Sequence, residues 1–220
     1  MKKPEEQSFA VIGLGKFGSH VAKELAYAGA HVLAIDNNEE RVADIAEHVT
    51  YAVKADACDD KAMQSLGISN MDAVIVAITG SLEASVMATI LAKEAGVKLV
   101  IAKAKEEMHA KVLQKTGADR VIIPEKDSGI RMAHNILSGN FVDVIEVSQT
   151  VRIVELEIKP EWVGKTLKDL KFRNKYQANV IAVKKSTDVD AVTNVDPDME
   201  LQEGMILWLI MDKNHVERLL

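Results

Sequence analysis

An α/β fold is what this sequence predicts: a doubly wound parallel sheet followed by a smaller α+β lobe. Three features carry that expectation. From Phe9 to about Pro124, short β-branched runs alternate with longer stretches of helical periodicity, the rhythm of right-handed βαβ units. A glycine-rich turn, Gly13-Leu-Gly15-Lys-Phe-Gly18, falls between the first such run and the first helical stretch. Beyond Val151 the pattern changes to strict alternation, with Val154, Leu156 and Ile158 on one side and Glu155, Glu157 and Lys159 on the other.

The six strands of the first domain are read at Phe9–Ile12, His31–Ile35, Tyr51–Lys54, Ala73–Ala77, Leu99–Ala102 and Arg120–Ile123. Helices are expected between them at Phe17–Tyr27, Glu39–Glu47, Lys61–Leu66, Leu82–Glu94 and Glu106–Lys115. Gly29, Gly67, Gly96 and Gly117 stand where left-handed helix ends belong. After Pro124 a connector helix over Lys126–Leu137 places Ile130, Ala133, Ile136 and Leu137 on one face, and Ser138-Gly139-Asn140 stops it. The tail then reads as the alternating strand, a short helix at Thr166–Phe172, a strand at Val180–Val183, a polar loop near Asp188–Asp198 and a strand at Ile206–Ile210. The expected division is 1–124 for the first domain, 125–149 for a crossover helix and linker, and 150–220 for the second. A unit of about 70 residues buries too small a core to be comfortable alone, so the tail is expected to pair with another copy.

Hydrophobic residues make up 48% of the chain, enough for a packed core, yet runs such as Met205–Met211 fall far short of a membrane span. The polar start, Met1-Lys-Lys-Pro-Glu-Glu-Gln, lacks a secretory core, and a soluble, cytoplasmic protein is expected. A single cysteine, Cys58, allows no intrachain disulfide and no cysteine-based zinc site. The formal charge of −6, without a basic stripe interleaved with aromatics, argues against nucleic acid as a partner.

A strand before the glycine turn and a helix after it are the context that gives the turn meaning, and they make the sheet Rossmann-like. Gly13 permits the tight turn, Gly15 lets backbone approach a phosphate, and Gly18 lets helix and strand pack closely. Phe17 lies within the same turn. The helix start offers free N–H groups to anionic oxygens. Asp36, followed by Asn37, closes the next strand, where a carboxylate accepts ribose hydroxyls and repels a 2′-phosphate. The other candidates follow the remaining strands: Asp56 and Ala57, Thr79 and Gly80, Lys103 and Lys105 with His109, and Glu125.

Each has a plainer reading. Asp56 is either beside the adenine or a solvated turn carboxylate, and Thr79 is either in the crevice or a helix cap. Lys103, Lys105 and His109 are either surface groups or, with Lys16, a positive surround for a polyphosphate. Glu125 caps the connector helix, pairs with Lys126, or shares a hard cation, Mg²⁺ or Ca²⁺, with phosphate oxygens.

A small NAD-dependent oxidoreductase would need a substrate domain with a placed acid or base. His215 and Tyr176 in the tail show no such pairing, His20, His31, His48 and His134 show no metal-ligand spacing, and no nucleophile elbow is present. The loop therefore reads as holding a nucleotide without chemistry to perform on it, either for a partner or as a free-standing sensor.

The stretches "VIGLGKFG", "LAIDNNEERV", "ADACDD…LGI", "DAVIVAI", "GADRVIIPEKDSG" and "GKTLKDLKFR" together resemble the cytosolic regulatory subunits of Ktr/Trk potassium uptake systems, built on the RCK domain. The likeness covers nearly the whole chain and is nearest to the Ktr type. It implies dimers assembled into a ring, commonly an octamer, under a membrane potassium channel subunit. ATP or ADP, with NAD or NADH as alternative occupants, would set the ring's shape. By the same resemblance Gly13, Gly15 and Gly18 hold the phosphates, Asp36 the ribose, and Asp56 and Ala57 the base. Lys103, Lys105 and His109 lie near the phosphates, and Glu125 meets its dimer mate and a divalent cation. Lys16 stands where the Ktr type carries an arginine; it keeps the charge but loses the bidentate fork. In the tail, Leu167, Arg173, Asn179 and Pro197 correspond to a pocket that binds cyclic di-AMP in some relatives, with Lys168 in place of an aliphatic residue. An ordinary dimer contact is the other reading of that surface.

Overall fold

A computed structural model describes residues 3–138, 141–185, 188 and 190–219. The chain divides into two compact units, Met1–Glu125 and Lys126–Leu220.

In the first unit β1 (Ser8–Ile12), β2 (His31–Asp36), β3 (Tyr51–Lys54), β4 (Ala73–Val76), β5 (Val100–Lys103) and β6 (Arg120–Ile122) form one sheet in the order β3-β2-β1-β4-β5-β6. Every pairing in it is parallel. The connections are α1 (Lys16–Tyr27), α2 (Glu39–Ala46), α3 (Asp60–Ser65), α4 (Leu82–Glu94) and α5 (Glu107–Lys115). Both faces of the sheet are covered, which is why β1, β2 and β4 read as unbroken apolar runs rather than alternating ones. Ile12, Ile35, Val74 and Val76 pack into one core, whereas Val11, Ala34 and Ile75, their neighbours in sequence, pack into the other. Strand order reverses between β1 and β4, and ligands of such sheets settle outside the strand ends at that reversal. The helices end as expected: Gly29, Gly67, Gly96 and Gly117 all take positive φ.

The second unit contains most of α6 (Pro124–Ser138) and an antiparallel sheet of β7 (Phe141–Glu146), β8 (Val151–Glu157), β9 (Ala178–Lys184) and β10 (Ile206–Asp212), ordered β7-β8-β10-β9. Two expectations are corrected here. Phe141–Glu146, read as part of a linker, is strand β7 and pairs with β8. The short helix is not at Thr166–Phe172 but begins where that stretch ends, as α7 (Phe172–Tyr176). Thr166 and Asp169 explain the shift: the Thr166 N–H and hydroxyl donate to the Asp169 carboxylate, and the Asp169 N–H donates back to the hydroxyl. Such local bonds compete with helical ones, and Lys171, at φ 46°, closes the turn. Gln177, at φ 54°, then ends α7, so two non-glycine left-handed residues bracket one short helix.

The core of this unit joins Val154 and Leu156 of β8 to Leu207 and Leu209 of β10. Trp162 is buried beside them, edge-on to Phe172 and Tyr176 at 5.2 and 5.3 Å, and its indole N–H donates to the Tyr176 hydroxyl. On α6, Ile130, Ala133 and Ile136 are exposed in the single chain. The Leu137 side chain and the Gly139-Asn140 stop lie outside the described residues. Among the described residues no helix is long and apolar enough to cross a membrane.

Candidate functional site

The glycine turn is built by close backbone packing. The Gly13 N–H donates to the Ile35 carbonyl at 2.8 Å, and its φ of 97° carries the chain from β1 toward α1. A β-carbon on Gly13 would stand 2.9 Å from Ile78 Cγ1, and one on Gly18 only 1.9 Å from the Gly13 carbonyl oxygen. Gly15 is different: nothing lies within 4 Å of an added β-carbon, so the space in front of it is open. It is also the N-cap of α1, with no side chain capping the helix, so the first amides of α1 are available to an anion.

Asp36 ties this turn to β2. One carboxylate oxygen accepts the Leu14 N–H at 2.6 Å, the other accepts the Asn38 N–H at 2.8 Å, and the side chain is only 4% exposed. The Arg41 guanidinium stands 3.5 Å from the same carboxylate.

Two adjoining hollows, each about 420 Å³, open along the C-terminal ends of the strands. The first has an apolar wall of Ile12, Ile35, Ala55, Ala57 and Ile78, with Asp36, Asn37, Arg41, Asp56, Thr79 and Gly80 as its polar or open parts. The second is ringed by Gly15, Lys16, Phe17, His20, Thr79, Lys103 and Glu125. Gly15, Ala77 and Thr79 belong to both. An apolar slot beside a carboxylate, continuing past a bare helix start into a group of cations, is a shape and charge pattern suited to an adenosine followed by phosphates.

Most of the residues singled out from sequence come together here. Gly13, Asp36, Asn37, Asp56, Ala57 and Gly80 line the first hollow, Lys16, Phe17, Lys103 and Glu125 the second, and Gly15 and Thr79 both. Gly18 acts from beneath, through the room it leaves. Ser81, not Thr79, caps α4: its hydroxyl accepts the Ala84 N–H at 3.1 Å. Asp56 also makes a turn of its own by accepting the Cys58 N–H.

The Glu125 carboxylate accepts from the Lys103 ammonium. That bond, with a backbone N–H bond at Glu125 itself, holds its carboxyl below the usual range. Among the described residues no cluster of three metal-ligating side chains is present.

Lys105 and His109 line neither hollow. His109 is 7% exposed, its Nδ1 accepts the Lys105 N–H and its Nε2 faces the Ser85 hydroxyl at 3.1 Å. It braces the turn between β5 and α5, and burial pushes its pKa down, opposed by Glu106. Sequence reasoning missed Arg41 and Ile78. Arg41 sits in the first turn of α2, directly after the strand-ending acid Asp36 and the N-cap Asn38, and a cation so placed was the available signal.

In the second unit Leu167, Arg173, Asn179 and Pro197 share a groove of about 390 Å³ with Lys168 and Lys171. Lys168 reaches Asp198 at 3.2 Å across its edge.

The TrkA-N domain family matches residues 9–124 and the TrkA-C domain family matches residues 151–220. The chain belongs to the TrkA-N/TrkA-C family. It is 41% identical over 218 residues to the Ktr system potassium uptake protein A of Bacillus subtilis, covering 99% of this chain and 97% of that one. It is 36% identical to the protein of the same name from Vibrio alginolyticus, covering 96% of each. Among solved structures, the GsuK RCK domain superposes with a TM-score of 0.67 at 18% identity, over 97% of this chain and 46% of that one. The GsuK channel bound to NAD superposes with a TM-score of 0.55 at 21% identity, over 99% of this chain and 38% of that one. These two likenesses establish the fold, and this TrkA-N/TrkA-C chain spans less than half of either GsuK chain.

Proposed function

We propose that this chain is a cytoplasmic regulatory subunit of a Ktr-type potassium uptake system, and that it holds an adenine nucleotide as a signal and releases it unaltered. The observation that carries the reading is the joined pair of hollows, with Asp36 at one end and Lys16, Lys103 and the start of α1 at the other. Ile35, Ala55, Ala57 and Ile78 would clasp the base, the free capacity of the Asp36 carboxylate a ribose hydroxyl, and the α1 amides the phosphates. ATP and ADP are the occupants proposed, with NAD or NADH competing for the same adenosine seat.

A ligand shifts a conformational equilibrium only through different affinity for its states, and the third phosphate supplies a difference in charge and reach. Lys16, exposed at the start of α1 and lining the second hollow, would sense it across the dimer. The exposed Ile130, Met132 and Ile136 of α6 offer an apolar face for a second copy, and rings of such dimers, octamers in this proposal, would meet the membrane potassium channel subunit. Glu125 from each copy could hold Mg²⁺ or Ca²⁺ through hard oxygen ligands. The groove at Arg173 and Asn179, flanked by Lys168 and Lys171, suits a second anionic ligand, for which we propose cyclic di-AMP.

The test starts with mass spectrometry of the nucleotide that co-purifies, followed by competition among ATP, ADP and NADH. Potassium flux is then measured in vesicles holding the chain and its channel partner, for wild type and Lys16→Ala. Nucleotide-dependent flux that Lys16→Ala makes indifferent to ATP against ADP is the expected result. Catalytic consumption of NADH with a carbonyl substrate would replace this reading with that of a small oxidoreductase.

A further inference from the structure

Lys103 is one of the few charged residues buried in the first unit, with a side chain only 10% exposed. An ammonium removed from water needs a partner to offset the lost hydration. Its partner is the Glu125 carboxylate, and the ring of Phe17 lies 5.4 Å from its Nζ. Glu125 is the opposite case, with a side chain 66% exposed and a place in the first turn of α6. The two halves of the pair are therefore unequal: Lys103 is committed to the interior of the hollow, and Glu125 can leave.

The same hollow is lined by Gly15, Lys16 and Thr79, where α1 begins without a side-chain cap. Phosphate oxygens seated on those amides would face the Lys103 ammonium that Glu125 now occupies. One buried ammonium cannot serve a carboxylate and a polyphosphate at full strength, so the two compete for it.

Resting on the nucleotide reading above, we propose that Lys103 and Glu125 form a latch. Glu125 holds Lys103 until bound phosphates take Lys103 over and free Glu125, with the first turn of α6, into solvent. Lys103 is thus a positioning residue that converts the presence of phosphates into the release of one carboxylate. The latch also makes Lys103 worth little to net affinity, because its new bond replaces an old one.

A double-mutant cycle tests this on the full chain with a metal chelator present, so that no cation contributes. Affinity for fluorescent methylanthraniloyl-ATP is measured for wild type, Lys103→Met, Glu125→Gln and the double variant. The latch requires Glu125→Gln to tighten binding about fivefold while Lys103 is present and to leave it unchanged in the Lys103→Met background. It also requires Lys103→Met alone to weaken binding by no more than about tenfold. Equal tightening in both backgrounds would mean simple repulsion between Glu125 and phosphate, and would overturn the latch while leaving the nucleotide reading intact. Loss of all binding in Lys103→Met with normal folding would overturn it as well, since Lys103 would then be an uncontested ligand. Should wild type bind no nucleotide, the nucleotide reading falls and the latch with it.

Discussion

Gly18→Ala is a small change with a large geometric consequence. The added β-carbon would stand 1.9 Å from the Gly13 carbonyl oxygen, 3.1 Å from the Gly13 carbonyl carbon and 3.2 Å from Ala77 Cβ. Non-bonded heavy atoms rest at about 3.5 Å, so α1 and the turn must separate by about 1.5 Å at this point. Overpacking costs about 1–3 kcal/mol, and here the obstruction is backbone, which places the cost near the upper end. Alanine's better helix propensity offsets about 1 kcal/mol of it. A net loss of about 2 kcal/mol lowers the melting temperature by about 6–8 °C for a domain of this size. The displaced α1 amides would also lose their aim at the phosphates. Gly15→Ala is the control, because its β-carbon meets nothing within 4 Å and its φ of −66° suits any residue. It should keep or slightly raise stability, yet weaken methylanthraniloyl-ATP binding by about tenfold or more, because a methyl group then occupies the phosphate's approach. Thermal denaturation and nucleotide titration of both variants decide the matter. Wild-type melting and affinity in Gly18→Ala would refute the steric argument, and unaltered affinity in Gly15→Ala would refute the placing of phosphates at that turn.

Other outcomes follow from single contacts. Asp36→Ala leaves the Leu14 and Asn38 N–H groups without their acceptor, so urea denaturation should show a loss of about 1–3 kcal/mol in addition to lost nucleotide affinity, whereas Asp36→Asn should recover part of the stability and little of the binding. His109 is held neutral by burial, with its folded pKa below the ordinary value of about 6.5; its contribution is complete above that value and falls as the pH drops through it toward the folded pKa. Wild type should therefore lose stability between about pH 7 and about pH 5 more steeply than His109→Gln, as read from melting curves across that range. Tyr176→Phe removes the hydroxyl that accepts the Trp162 N–H inside the second core and should cost about 1–2 kcal/mol by denaturant titration, with no change in nucleotide affinity.

The first unit is legible because its signals are local and repeated. Each strand is a short run rich in β-branched and apolar residues, four of the five helices (α1, α3, α4 and α5) are followed by a glycine that takes positive φ, and the glycine turn is explained by its neighbours on both sides. Candidate residues at the strand ends followed from topology alone. What sequence could not convey was partner choice: that Ser81 rather than Thr79 caps α4, that Glu125 takes Lys103 as its partner, and that His109 is spent on Lys105 and Ser85. The second unit was harder. In sequence Phe141–Glu146 reads as linker, because it comes soon after a helical stretch and owes its pairing to β8, a tertiary contact. The position of α7 depended on a side-chain exchange between Thr166 and Asp169, which periodicity does not encode.

The carboxylate of Asp36 staples the turn after β1 to the end of β2 before any guest arrives. Ordering that segment is thus part of folding, and an incoming molecule finds few loose torsions left to freeze. On the nucleotide reading proposed above, swapping one occupant for another would be a question of how fast the first departs, with no loop to rebuild in between. Such a seat would report the ratio of its competitors and keep no memory of which came first.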